Sequence, residues 1–147
     1  MNNIRYQFIT PEPPYYGQTV QLRYGIFYKS SVLPLSTVLD DKENIDYHLA
    51  AIINDSVVGY IRMTISDGSA QFSQFFIVEE MRGHSTIART LFHIAEQKVK
   101  ELGAKRLYGE IRLPVTKTAV RYGFTVSEKT FPSIKTGLPH RIIVKTL

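Results

Sequence analysis

The first third of the chain predicts one strand, one helix and a polar connection. Apolar and polar side chains alternate over Ile4–Phe8, which is typical of a half-buried strand, and a proline-rich stretch at 11–14 ends it. Apolar residues then recur at helical spacing from Gln18 to about Tyr28, although Gly25 weakens this helix. Ser30–Asp46 is a polar, acidic connection with room for a short helix, and its length suggests that part of it has a function.

Three strands follow in close succession and predict an antiparallel meander. Tyr47–Ile53, Val57–Ile65 and Phe72–Val78 are rich in β-branched and aromatic residues. Two turn sequences separate them, Asn54–Ser56 and Asp67–Gly68, and the second is a good hairpin signal. Because such short turns join antiparallel neighbours, each strand is expected beside the one before it.

The longest predicted helix follows this meander. Thr86–Leu102 keeps one apolar face, with Ser85 or Thr86 as the capping residue and Gly103 where the helix ends. Leu107–Ile111 is the next strand. Since a long helix between two strands is typical of a crossover, the strands on either side of it are expected to be parallel neighbours.

The last quarter of the chain predicts a short helix and two closing strands. Pro114–Gly123 has room for one short helix, Phe124–Thr130 and Arg141–Thr146 are strand-like, and Pro132–His140 is a connection rich in proline and glycine. No internal repeat or linker divides the chain. We therefore predict a mixed α/β fold, a single domain over 1–147 in which helices flank one central, mostly antiparallel sheet.

Composition and charge narrow the class of protein. With 44% hydrophobic and 21% charged residues, the 147-residue chain has ordinary globular values. The absence of cysteine excludes disulfide frameworks, thiolate zinc sites and cysteine nucleophiles. The net charge of +5 favours an anionic partner, although a solvated basic surface accounts for it as well. No apolar run approaches the ~20 residues of a membrane helix and no signal peptide is evident, so we expect a cytoplasmic protein without a membrane partner.

The turn that leads into the long helix is the clearest candidate binding site. Unpaired N–H groups and the dipole at a helix N-terminus attract anions, and this turn also contains a glycine, several small side chains and three basic ones. An ordinary capped turn would use the same residue types, so both interpretations stay open at this point. The candidate phosphate-binding residues are Arg82, Gly83, His84, Ser85, Thr86, Ile87, Ala88 and Arg89.

Several short motifs occur in a fixed order along nearly the whole chain. Around the long helix they are Arg82-Gly83, Ile87-Ala88 and Gly103–Leu107, and elsewhere Leu22-Arg23 with Phe27, Asp46–Ala50, Val58–Arg62, Gly123-Phe124 and Gly137–His140. Together they resemble the GNAT N-acetyltransferase superfamily, and in particular its small ElaA-like or YjcF-like branch.

This resemblance implies a GNAT-like fold and an acyl-CoA-dependent N-acyltransferase. The expected reaction is direct transfer of acetyl from acetyl-CoA, as co-substrate, to an amine on a small molecule or a protein. Pantetheine would lie between two diverging strands against Phe76, Ile77 and Val78, where an N–H group stabilises the thioester oxyanion. The 82–89 segment would hold the pyrophosphate. The resemblance does not name the acceptor, and it leaves a homodimer open.

Three departures from the family pattern bear on catalysis. Thr86 takes the position of the first glycine of the pyrophosphate loop, and Arg82-Gly83 lies one residue further from the helix than usual, so a distorted loop is expected. Ala119 stands where family members have the tyrosine that protonates the leaving thiolate. Leu113–Tyr122 looks about one turn short. These departures favour the alternative function, a GNAT-fold protein that has lost catalysis and acts as a binding or regulatory module.

Three side chains are candidates for proton transfer. Glu110, on a strand beside the expected cleft, is a candidate base, and His140 is a candidate base or proton shuttle. Tyr122 is the phenol nearest in sequence to Ala119 and is a candidate donor to the thiolate. An outward-facing strand residue and a hydrogen-bonded loop histidine are the structural alternatives for Glu110 and His140.

The remaining polar residues give weaker signals. Asp40, Asp41 and Glu43 could attract a cationic amine, although an ordinary solvated loop is the simpler interpretation. His48 and His93 are expected in packing or at the surface. The four histidines lack the spacing of metal ligands, so no metal is expected. A nucleic-acid partner is disfavoured because no recognition motif is present.

Overall fold

The computed structural model of the protein describes residues 3–28, 32–83, 85–134 and 136–147. The described strands form one mixed sheet in the order β1-β2-β3-β4-β5-β8-β6, with β7 paired to β8. Only β4 and β5 are parallel neighbours among these pairs, so the sheet is mostly antiparallel, as predicted. The strands are β1 Arg5–Ile9, β2 Tyr47–Ile53, β3 Ser56–Ser66, β4 Ser69–Ile77, β5 Arg106–Arg112, β6 Thr125–Val126, β7 Phe131–Pro132 and β8 Pro139–Thr146.

Among the described residues, three α-helices and four shorter helical turns connect these strands. The α-helices are α1 Tyr16–Arg23, α2 Ser85–Glu101 and α3 Thr116–Arg121. A π-helical turn, Tyr24–Tyr28, continues α1, and 3-10 turns occupy Leu35–Val38, Glu79–Met81 and Leu113–Val115. No helix in the described ranges is long and apolar enough to cross a membrane.

The predicted hairpins are confirmed, and their turn residues have the backbone conformation that tight turns require. Asn54 and Asp55 have φ angles of 47° and 63°, and Asp67 and Gly68 have φ angles of 44° and 79°. Two successive residues in the left-handed region are typical of turns whose twist matches that of the flanking antiparallel strands. The turns thereby fix the registers of the β2–β3–β4 meander.

The predicted crossover is also confirmed. Helix α2 joins β4 to β5, which pair in parallel, and Gly103 just beyond its end has a φ of 91°. The helix buries one stripe of side chains against the sheet, namely Ile87, Leu91, Ala95 and Val99. At Gly59 an added Cβ would lie 3.0 Å from Leu91 Cδ1, so the glycine lets α2 approach the sheet closely.

Two apolar clusters lie on opposite faces of the sheet, since successive residues of β2 belong to alternate clusters. The α2 face contains Leu49, Ala51, Ile61, Met63, Phe72 and Leu107. The α1 face contains Ala50, Ile52, Val57, Tyr60 and Phe76. The chain is therefore a three-layer α/β/α arrangement around one sheet.

One predicted strand is wrong in extent. Instead of one strand over Phe124–Thr130, only Thr125–Val126 and, after a break, Phe131–Pro132 pair with β8. The Ser127 Oγ accepts a hydrogen bond from the Ile142 N–H at 3.3 Å and lies 3.4 Å from the Lys129 carbonyl, so the side chain takes the place of a ladder partner. The predicted Pro132–His140 connection is accordingly a hairpin between β7 and β8.

Candidate functional site

The site begins where two parallel strands separate. β4 and β5 pair from Ser69–Arg106 to Phe72–Gly109 and no further. An added Cβ at Gly109 would lie 2.8 Å from the Phe72 carbonyl oxygen, so only glycine permits this last close pair. Beyond it the strands diverge, and a cavity of about 910 Å³ opens between them.

A β-bulge in β4 lies at the point of divergence. Tyr60 pairs with Phe76 and Arg62 pairs with Ser73, so β4 carries one residue more than β3 over this segment. Gln74 in the bulge has a φ of 53°, which is uncommon for a residue other than glycine. Both Ser73 and Gln74 line the cavity, so the bulge shapes its wall.

A buried arginine holds this bulge from behind. The Arg23 guanidinium is fully buried and donates from Nε to the side-chain oxygen of Gln74. Its two terminal nitrogens donate to the Glu43 carboxylate at 3.1 and 2.9 Å. Because the Arg23 charge is neutralised by a nearly buried carboxylate, its position is fixed, and it connects α1 to the bulge.

A second buried arginine completes the charge network. Arg62 donates to Asp46 at 2.5 Å, to Glu43 at 2.8 Å and to Asp40 at 2.6 and 3.0 Å. Burial alone would raise the pKa of the Glu43 carboxyl, but hydrogen bonds from Arg23 and Tyr16 and the two arginine charges hold it below its ordinary value. Asp40 and Glu43, considered above as attractors of an amine, therefore neutralise arginines and do not line the cavity.

His48 and Tyr60 extend the network into the sheet. The His48 Nε2 lies 2.8 Å from the Glu43 carbonyl oxygen, which only accepts, so Nε2–H donates and Nδ1 accepts from the Tyr60 hydroxyl at 2.5 Å. Burial lowers the pKa of the fully buried His48 ring, which favours this neutral form. Burial and the hydrogen bond to Glu43 raise the pKa of Tyr16 to about 12. Every described buried side-chain polar atom in the protein has a partner.

The structure brings together some of the predicted cofactor-binding residues. Phe76, Ile77, Val78 and Arg82 line the cavity, and Arg82 Nε donates to the Ile77 carbonyl at 3.0 Å. Gly83 has a φ of 95°, as a tight loop requires. The loop then enters α2 at Ser85, where Thr86 and Arg89 are exposed, Ala88 is half-buried and Ile87 is buried in the core. His84 lies outside the described residues.

Two of the three proton-transfer candidates line the same cavity. Glu110 and His140 are on its wall, as is Ala119, which the resemblance places at the family's tyrosine position. Tyr122 instead stacks on Phe92 with ring centroids 4.8 Å apart and lines a separate hollow of about 170 Å³. Since the Leu138 carbonyl 2.9 Å from His140 Nδ1 only accepts, Nδ1 carries the proton and Nε2 of the neutral ring is left to accept one.

Sequence reasoning assigned no role to three other cavity residues. Phe27 and Tyr28 reach the cavity from the π-helical turn, and burial raises the pKa of the Tyr28 phenol. Arg112, at the end of β5, places its guanidinium carbon 5.5 Å from the centroid of the Phe27 ring. Strand alternation from Glu110 would have placed Arg112 on the same face, but nothing in the sequence shows that Phe27 lies beneath it.

His93 is exposed on α2, and the described residues contain no cluster suited to a metal ion.

Comparison with solved structures shows the same fold in several proteins of low sequence identity. Escherichia coli ElaA superposes with a TM-score of 0.80 at 17% identity over 97% of this chain and 99% of its own. An acyl-CoA N-acyltransferase from Pseudomonas aeruginosa superposes with a TM-score of 0.79 at 15% identity over 98% and 100%. A protein from Lactobacillus plantarum gives 0.82 at 19% identity over 99% of both chains.

The sequence itself also matches a known family. No curated protein matches the chain. A family model does: residues 27–140 match the acetyltransferase (GNAT) domain. This match spans most of the chain, includes β2–β5 and α2, and contains most of the residues that line the cavity. The protein therefore belongs to the GNAT acetyltransferase family, and its fold is that of the solved structures named above.

Proposed function

We propose that the protein is an acyl-CoA-dependent N-acyltransferase that transfers acetyl from acetyl-CoA to an amine. The observation that carries the proposal is the divergence of β4 and β5 beyond Phe72 and Gly109 into a cavity of about 910 Å³. A cavity of this size suits a small-molecule substrate. Its strand wall offers backbone groups that have lost their ladder partners, and these can bind an extended, amide-containing chain such as pantetheine.

Backbone geometry points to one donor for the thioester oxygen. The Val78 N–H donates to the Val58 carbonyl of β3 at 2.9 Å. Because successive N–H groups along a strand point to opposite edges, the N–H of Ile77 is directed away from β3 and toward the cavity. In the proposed reaction it donates to the oxygen of the thioester carbonyl, where negative charge develops in the transition state.

The N-terminus of α2 is the proposed pyrophosphate site. It follows a loop with Gly83 in the left-handed region, and α2 is 17 residues long, so its dipole and its first N–H groups favour an anion. Arg82, Thr86 and Arg89 are exposed beside it and add two positive charges and a hydroxyl. Thr86 in place of a glycine makes this loop more crowded than the family pattern.

His140 is the proposed base. As the amine nitrogen attacks the thioester carbon, it loses a proton to Nε2, the nitrogen that the hydrogen bond to Leu138 leaves unprotonated. Collapse of the tetrahedral intermediate breaks the C–S bond, and the CoA thiolate takes a proton from the imidazolium or from water. Glu110, on the same wall, is the second candidate for the base.

One observation favours the alternative, a binding module without catalysis. Ala119 lines the cavity at the position where the family has its phenol, and Tyr122 points to a separate hollow. The thiolate therefore lacks the usual donor. Release of free thiol in the presence of an acceptor distinguishes an enzyme from a binding module, which binds acetyl-CoA without turnover.

The first test is cofactor binding. Because the 82–89 segment and the β4 wall form the proposed site, acetyl-CoA at one hundred times its dissociation constant should stabilise the fold by about 2.7 kcal/mol. The measurement is the melting temperature as a function of acetyl-CoA concentration, with the free adenine nucleotide as a control ligand. No shift at millimolar acetyl-CoA or CoA would exclude both the site and the enzyme.

A charge-reversal test locates the pyrophosphate. Thr86→Glu places a carboxylate at the N-terminus of α2 and should weaken CoA binding at least tenfold, because it repels the pyrophosphate. Gln97→Glu, on the exposed face of the same helix, adds the same charge far from the loop and should leave CoA affinity unchanged. If folded Thr86→Glu protein binds CoA like the wild type, the pyrophosphate lies elsewhere.

A further inference from the structure

Arg112 is a cation on the cavity wall that no described residue neutralises. Its side chain is half-buried and lines the cavity, yet it forms no ion pair and no side-chain hydrogen bond with any described residue. Arg23 and Arg62, by contrast, are each paired with buried carboxylates, and Arg82 donates to a backbone carbonyl. An arginine on the wall of a cavity with its donors unused is suited to an anionic ligand.

The position of Arg112 is restricted although its side-chain donors have no partner among the described residues. The guanidinium carbon lies 5.5 Å from the centroid of the Phe27 ring, and the Cα partner of Arg112 across the strand pair is His140. Stacking on an aromatic ring restricts a guanidinium while leaving its N–H edge available to a planar carboxylate. The same residue therefore lies next to the proposed base on the cavity wall.

Glu110 supplies the opposite charge on the same wall. It precedes Arg112 by two residues on β5, so both side chains face the same side of the sheet with Cα atoms about 7 Å apart. Both line the cavity, and they form no ion pair with each other. The wall therefore presents a negative and a positive group side by side, which complements a small molecule that carries an ammonium and a carboxylate.

We infer that the acceptor is an amine that also carries a carboxylate, of the amino-acid class, and that Arg112 binds the carboxylate. The inference rests on the proposed N-acyltransferase function. Glu110 attracts the ammonium group, which loses its first proton to water to give the nucleophilic amine, and His140 takes the second proton as the nitrogen attacks the thioester carbon. A simple cationic amine is disfavoured because Glu110 would bind its ammonium group but nothing in the acceptor would neutralise the charge of Arg112.

The test compares amino acids with their own C-terminal amides, which differ only in the carboxylate. Release of free CoA thiol is followed for each pair with wild-type protein, with Arg112→Gln, and with Arg106→Gln. Arg106 is a matched control because it lies on β5, stacks on the Tyr108 ring at 5.3 Å and does not line the cavity. The dissociation constant of CoA is measured for each variant.

The expected result is a preference in kcat/KM of at least tenfold for the free acid over its amide. Arg112→Gln should lower kcat/KM for the acid about 10- to 100-fold, mainly by raising KM, since one charge-assisted pair is lost. The amide reaction and the CoA affinity should not change, and Arg106→Gln should behave like the wild type. Arg112→Lys, which keeps the charge but not the two-pronged geometry, should fall between the two.

Each contrary result has a distinct meaning. Equal kcat/KM for the acid and its amide, or an equal loss of kcat/KM for both in Arg112→Gln, overturns the inference that the acceptor carries a carboxylate bound by Arg112. Weaker CoA binding by Arg112→Gln would mean that Arg112 binds the cofactor, and it would overturn the proposal that Arg112 binds the acceptor carboxylate. If no pair is turned over, calorimetric titration of the CoA-loaded protein decides, and the absence of acid-specific binding overturns the inference. Failure of the protein to bind acetyl-CoA would overturn the proposed function, and the inference about the acceptor class would then fall too because it rests on that function.

Discussion

At the scale of single residues, one hydrogen bond decides what His140 can do. Its Nδ1–H is committed to the Leu138 carbonyl, so a neutral ring can accept a proton at Nε2 but has none to give there. The sequence motif around His140 indicated a titratable side chain near the cleft and left base and shuttle open. The hydrogen bond favours the base, and only the folded β7–β8 hairpin reveals it.

We predict that His140→Gln lowers kcat about 100- to 10,000-fold, the usual contribution of a general base, and leaves CoA affinity unchanged. Glutamine keeps a polar side chain of similar reach but cannot take up a proton. His93→Gln is the control, since His93 is exposed on α2 and does not line the cavity. Full turnover by His140→Gln on a verified acceptor would transfer the role to Glu110 or to water.

The sequence predicted some site residues and missed others for a physical reason. Phe76–Val78 follow from the family resemblance, and Glu110 and His140 from local strand and motif position; all five line the cavity, and their roles stay predictions. Gln74 and Arg112 were missed because their roles depend on contacts with Arg23 and Phe27, which lie 51 and 85 positions away in the chain. Long-range contacts of this kind leave no periodic signal in one sequence.

At the scale of elements, the last pair of the β4–β5 ladder, Phe72–Gly109, depends on close packing of one backbone on the other. The β2–β3–β4 hairpins and α2 were predicted well because turn residues, alternation and the helical stripe all agree. The break between β6 and β7 was not predicted. There the Ser127 side chain takes the place of a backbone partner, and this exchange does not alter the alternation of apolar and polar residues from which strands are predicted. The bulge in β4 was likewise not predicted from the sequence.

Gly109→Ala should lower the free energy of unfolding by about 1–3 kcal/mol, because the new methyl group would overlap the Phe72 carbonyl unless the strands move apart. Gly17→Ala in α1 is the matched control, since nothing lies within 4 Å of its added Cβ, and it should stabilise the protein by up to about 1 kcal/mol. Urea denaturation measures both. Equal stability of the two variants would mean that β4 and β5 tolerate a wider separation than the structure shows.

At the scale of the whole molecule, one network of buried charges joins α1, the 40–46 segment and the sheet. It links Arg23, Glu43, Arg62, His48 and Tyr60 through hydrogen bonds and ion pairs. None of these pairings was predicted, because the acidic segment by itself resembles a solvated loop. Removal of one partner leaves the others buried without a hydrogen-bond or ion-pair partner, so the network stabilises the fold only when it is complete.

The network makes stability depend on pH. Burial holds the pKa of His48 below its ordinary value of about 6.5, so as pH falls below that value the unfolded chain takes up a proton that the folded protein does not. The free energy of unfolding is therefore expected to be constant above about pH 7 and to fall toward pH 5.5. Glu43, whose pKa is also lowered, adds a further loss at more acidic pH, as that carboxylate is protonated.

The check is urea denaturation between pH 8 and 5.5, with wild-type protein and His48→Gln. Glutamine can donate to the Glu43 carbonyl and accept from the Tyr60 hydroxyl without titrating. The variant should lose about 1 kcal/mol at pH 8 and should show a flatter dependence on pH than the wild type. Parallel curves for the two proteins would assign the acid sensitivity to other groups.

The bulge at Gln74 also changes the phase of β4. Ala70 and Phe72 pack toward α2, and so do Phe75 and Ile77, three and five positions after Phe72, while Phe76 packs toward α1. The extra residue thus shifts even-numbered positions from one face to the other in the middle of a single strand. Without it, Phe76 would turn from the α1 cluster toward α2, and Phe75 and Ile77 would turn toward α1. A change of a single residue in length at this point would therefore invert the strand beyond it, which makes chain length here as much a determinant of the fold as residue identity.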